Sequence, residues 1–146
     1  MRDSAAVTPQ AFTLLNSDTM TDRSIAFALR VQKELPGDLE TQIARVIRLA
    51  FNRTATDEEK SKLTDYLQEM QKYHADHKPE EIKYPTQVVR SLVEEFTGEP
   101  FEFIEKLNVY EDYVPDPKPW TVSPETRALA DVCLLLMNSN EFLYVY

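Results

Sequence analysis

The chain has 146 residues, the usual size of one compact domain, and 42% hydrophobic with 28% charged residues are globular values. A formal net charge of −9 at pH 7 argues against nucleic-acid binding and adsorption to anionic lipid, both of which need clustered Lys and Arg. Gly37 and Gly98 are the two glycines, too few for the turns of a β-sandwich or a dinucleotide-binding sheet, and Cys133 alone cannot form an internal disulfide.

Thr8-Pro9 opens a first short helix, with Ala11, Phe12, Leu14 and Leu15 on its apolar face and a stop near Asn16. Ser17 or Asp18 caps a second helix to about Leu35, in which Ile25, Ala28, Leu29 and Leu35 share a face. Pro36-Gly37 breaks it. Asp38 caps a third helix whose Leu39, Ile43, Val46, Ile47, Ala50 and Phe51 give the clearest amphipathic pattern in the chain. Thr56-Asp57-Glu58-Glu59 is a capping box that starts a fourth, running through Leu63, Tyr66, Leu67, Met70 and Tyr73 and fraying near His77.

Beyond Lys78 the pattern changes. Pro85 starts a predicted helix over 85–97 carrying Val88, Val89, Leu92, Val93 and Phe96, with Gly98 placed to end it. Residues 98–122 show no helical period. Phe101 to Ile104 and Leu107 to Tyr110 alternate only weakly, a faint hairpin signal, and Pro115, Pro117 and Pro119 favour extended chain. Ser123-Pro124 starts the last helix, apolar almost all round from Ala128 to Met137 except at Asp131, which places it in the middle of a bundle. Even its most apolar stretch, near Val132 to Met137, is far too short to span a bilayer, so no membrane insertion is expected. The tail from Phe142 to Tyr146 is apolar enough to be expected to pack back on the domain or a neighbour. Leu14-Leu15-Asn16-Ser17-Asp18 is echoed by Leu136-Met137-Asn138-Ser139-Asn140, too briefly to define a repeat.

The expected fold is therefore all-α: one domain over 1–146, a bundle of five or six helices. It comprises a four-helix portion over 1–77, a helix over 85–97, an extended proline- and aromatic-rich segment over 98–122, and a central last helix with its tail over 123–146.

Four groups of residues carry a family resemblance. They are Thr8-Pro9-Gln10-Ala11 with Leu14-Leu15-Asn16; Ala50-Phe51-Asn52-Arg53 with Thr56 and Glu59; Val109-Tyr110-Glu111-Asp112-Tyr113-Val114-Pro115-Asp116; and Thr126-Arg127-Ala128-Leu129-Ala130 through Leu136 to Phe142. From about Arg2 to its end the chain resembles the C-terminal domain of unknown function of large secreted planctomycete-type proteins, many with an upstream cytochrome c domain. The resemblance implies a longer, exported parent, periplasmic or extracellular, with its export signal upstream. It implies contact with upstream domains of that parent or with a protein partner. The start at Met1-Arg2-Asp3 reads as a cut inside the family domain. No Cys-x-x-Cys-His is present, so any haem belongs elsewhere and no cofactor is expected in this chain.

Candidate sites are few. His74 and His77, three apart on one helix face, with Asp76 beside them, could ligate a metal; the ordinary alternative is a solvated helix end where His meets the negative dipole. Tyr110, Glu111, Asp112, Tyr113, Asp116 and Trp120 set aromatic platforms among carboxylates, a pairing that suits a sugar; the alternative is that the rings anchor an extended segment. The acidic run from Glu94 to Asp116 lacks calcium-loop spacing and reads as a solvated face. Arg53 and Arg127 are placed to pair with carboxylates such as Glu59 or Asp131, and Asn16 and Asn138 to end helices in left-handed geometry. No catalytic serine, phosphate-loop or zinc spacing appears. The leading expectation is a non-catalytic structural or interaction module. The alternative is a share in a carbohydrate-active or metal-dependent site through the segment from Tyr110 to Trp120.

Overall fold

The computed structural model describes residues 8–108 and 114–144, with side chains described from residue 12 onward. It forms two compact units, one from residues 1–79 and 116–146 and the other from residues 80–115.

The first unit is helical: α1 (Thr8–Leu15), α2 (Asp18–Glu34), α3 (Leu39–Phe51), α4 (Asp57–Asp76), α5 (Pro124–Met137) and the single turn α6 (Asn140–Leu143). Local chemistry sets the boundaries. The Asp38 carboxylate accepts from the Thr41 amide at 3.0 Å. Thr56 and Glu59 close the capping box, the Glu59 carboxylate accepting from the Thr56 amide at 2.8 Å and the Thr56 hydroxyl from the Glu59 amide at 3.2 Å. Ser123 caps α5 with Pro124 at its first position. Ser17 holds the cap position of α2, but its side chain makes no capping bond.

Helix ends differ from the expectation in one respect. Asn52, not Asn16 or Asn138, takes the left-handed conformation, at φ 54°. Asn138 ends α5 at φ −96°, its side-chain amide donating to the Leu134 carbonyl.

α5 packs on α2 and α4 and buries Thr126 through Ala130 with Val132, Cys133 and Leu136. Ile25, Ala28 and Val31 of α2, Ile43, Val46 and Ile47 of α3 and Leu67 of α4 complete the core. On α3, Ile43, Val46 and Ile47 of the predicted face are fully buried, and Leu39 and Phe51 pack partly buried against them. On α2 the stripe is rotated: Val31 is buried, whereas Leu29 and Leu35 lie at the surface.

The second unit corrects the all-α expectation and the helix over 85–97. Residues Gln87–Val93 form β1 and Pro100–Lys106 form β2, an antiparallel two-stranded sheet in continuous register from Gln87 opposite Lys106 to Val93 opposite Pro100. Val88, Val89, Leu92, Val93 and Phe96 satisfy a helical period and a strand equally well. The β-branched valines favour the strand because their χ1 freedom is restricted on a helix. The turn decides the matter. The Glu94 carboxylate accepts from the Thr97 hydroxyl and from the Thr97 and Phe96 amides, while the Glu94 amide donates to the Glu99 carbonyl at 3.0 Å. Those bonds, the Thr97 hydroxyl foremost, hold the Glu94 carboxyl below its usual range. Gly98 takes φ 72°, a geometry glycine adopts without strain. β2 pairs backward with β1, and of the second run in the faint hairpin signal, Val109 and Tyr110 lie outside the described residues.

Candidate functional site

α4 and α5 bring His74, Asp131 and Arg127 together. His74 Nε2 lies 2.7 Å from Asp131 Oδ2. Burial pushes the Asp131 carboxyl up, and the hydrogen bond with His74 and the charges of His74 and Arg127 pull it partly back. Arg127 is buried and does not pair directly with Asp131. Its guanidinium donates to the His74 carbonyl at 2.9 Å and the His77 carbonyl at 3.4 Å, satisfying the open end of α4. Its Nε is enclosed without a partner.

The metal candidates separate. His74 faces Asp131, whereas His77 Nδ1 lies 2.8 Å from the Tyr73 carbonyl oxygen and its ring stacks on Tyr73 at 4.2 Å. Asp76 is exposed at the end of α4. Among the described residues, no three His, Cys, Asp or Glu side chains converge as metal ligands would.

Of the candidate sugar-binding residues, Tyr110, Glu111, Asp112 and Tyr113 lie outside the described residues. Asp116 makes a 3.6 Å ion pair with Arg23, and Trp120 is half-buried in a single 3-10 turn, Pro119–Thr121. Between them, Lys118 Nζ donates to Asp22 Oδ2 at 2.6 Å, largely shielded from solvent. These two pairs fasten the proline-rich segment to α2. Sequence reasoning did not identify the Asp22 pair, because the partners are 96 positions apart.

Arg53 does pair with Glu59, as its position suggested, and also with Glu141 at 2.6 Å. It lies between two forked carboxylates, with its guanidinium 5.2 Å from the Phe51 ring centre. This clasp ties α6 to the α3–α4 turn. Phe142, Leu143 and Tyr144 remain partly exposed, so the described tail is held by charge more than by apolar packing. Cys133 is enclosed in the core, and burial pushes its thiol far up, which suits a small apolar residue and not a nucleophile.

The most unusual surface is on the hairpin. Residues paired across a sheet share a face, so Val89, Val93 and Ile104 lie on one side with Ser91 and Glu102, and Leu92, Phe101 and Phe103 on the other. Phe101 and Phe103 stand 6.2 Å apart, and Arg90 and Glu105 pair beside them. Val89, Val93 and Ile104 are 68%, 63% and 61% exposed, and Phe96 in the turn is 95% exposed. Apolar groups on both faces of a two-stranded sheet stay in water.

Residues 1–67 match the family described as PSD1, protein of unknown function (DUF1553). The matched region takes in α1 through α3 and the first half of α4 and supports kinship with an unknown-function domain family. No curated protein and no solved structure matches the chain.

Proposed function

We propose that this chain is a non-catalytic structural and interaction module of a larger exported multidomain protein, and that the β1–β2 hairpin is its contact surface. The observation carrying the reading is the exposure of Val89, Val93, Phe96 and Ile104 on a well-registered hairpin. Such a surface is stabilised when another surface covers it. The helical unit has its own closed core, side-chain caps at the starts of α3, α4 and α5, and polar pairs that bind segment to segment. The resemblance to domains of large secreted proteins supports the exported, multidomain setting. No helix among the described residues is long and apolar enough to cross a membrane.

The test is dye binding by the native chain. Anilinonaphthalene sulfonate should fluoresce with the wild-type protein, and a Val89→Thr/Phe96→Ser/Ile104→Thr variant should lose most of that signal while keeping its helical circular dichroism. A native chain that leaves the dye dark, or one that binds a glycan in an array screen through Trp120, would defeat the interaction reading.

A further inference from the structure

We infer that the outer edge of β1 accepts an extended, cationic and apolar strand from a protein partner. The inference rests on the interaction reading and adds the edge used and the chemistry of what docks there.

In an antiparallel pair, alternate residues turn their backbone N–H and C=O toward the neighbouring strand or away from it. The Glu94 amide donates to the Glu99 carbonyl at 3.0 Å and the Leu107 amide to the Thr86 carbonyl at 2.8 Å, so the even-numbered positions of β1 face β2. Gln87, Val89, Ser91 and Val93 therefore turn their backbone groups outward, and among the described residues no third strand joins the sheet.

Proteins blunt such edges with proline, charge or a bulge. The β2 edge is blunted: its outward positions are Pro100, which lacks an N–H, Glu102, Ile104 and the charged Lys106. The β1 edge has none of these devices. Its outward positions are uncharged, none is proline, and its register is unbroken. It is built to accept a strand.

Charge selects the occupant. Residues 80–115 hold nine carboxylates against three cations, a net −6 out of −9 for the whole chain. Glu95, Glu99 and Glu102 have no ion-pair partner among the described residues. A second copy of this chain would bring the same acidic unit against itself, whereas a lysine-bearing strand would be attracted. Val89 and Val93 beside the edge supply the apolar contact.

The probe is a fluorescein-labelled peptide of alternating valine and lysine, as long as β1, titrated into the full chain by anisotropy at low salt. Control peptides replace lysine by glutamate or valine by serine. Ser91→Pro removes one outward N–H and no hairpin hydrogen bond, and should weaken the valine–lysine peptide about tenfold or more. Ser91→Thr should bind as wild type. Glu95→Lys/Glu99→Lys leaves the edge intact and should weaken the same peptide about tenfold, a loss that added salt imposes on the wild type. Equal binding by wild type and Ser91→Pro, or by the serine control, overturns the edge assignment while leaving the dye test standing. A wild-type dimer that Ser91→Pro dissociates puts a second copy on the edge and overturns the choice of occupant.

Discussion

Arg53 shows how far a single side chain reaches in this molecule. Its guanidinium holds the Glu59 carboxyl down to about 2, with the Thr56 amide helping. A carboxylate held below its ordinary value of 4.5 in the folded state favours folding fully above that value. The contribution is lost as pH falls from 4.5 toward 2. Urea melts of Arg53→Met should therefore show a lower midpoint than wild type at neutral pH, with the two converging across that acid window. Parallel pH profiles would contradict the clasp. Arg127 acts on the end of α4 and, being buried, should matter more. Arg127→Met leaves the His74 and His77 carbonyls without their donor and should cost about 2 kcal/mol in chemical denaturation. Cys133 should stay unmodified by iodoacetamide in the native chain and react in denaturing urea. At this scale the sequence showed only what lies close along the chain. Arg53 beside Glu59 was legible because six positions separate them; Asp22 with Lys118, Arg53 with Glu141 and His74 with Asp131 were not, because the fold makes them neighbours.

The helices α1 to α5 were legible as elements because each combines apolar positions at the helical period with a chemical start or stop, whereas the single turn α6 was not expected. α3 has both, from the Asp38 cap to the left-handed Asn52, and the centre of its predicted face, Ile43, Val46 and Ile47, is buried. Val46→Ala or Ile47→Ala should destabilise the helical unit by about 2 kcal/mol, toward the lower end for one buried aliphatic truncation. Loss of the Thr56 hydroxyl in Thr56→Ala should cost about 1 kcal/mol. The hairpin was not legible, and the reason is physical. Val88, Val89, Leu92 and Val93 fit both periods, and Pro85 and Gly98 fit a helix start and stop as well as strand punctuation. What separates the readings is the Glu94–Thr97 turn, whose bonds appear only once the chain reverses. Gly98→Ala puts a methyl group at φ 72° and should weaken the hairpin by about 1 kcal/mol, seen as faster amide exchange confined to β1 and β2.

On the scale of the whole molecule, the chain divides its labour between a closed helical unit and a hairpin whose apolar groups stay uncovered. The closed unit follows from the apolar last helix, which the sequence marked as buried. The open hairpin follows from placing apolar side chains on both faces of a sheet that has two strands among the described residues. Hydroxyl-radical footprinting of the native chain, read by mass spectrometry, tests this division most directly. The account predicts heavy labelling of Phe96, Val89, Val93 and Ile104, with Ile25, Ile47 and Leu129 protected. Protection of the hairpin residues in the free monomer would contradict it.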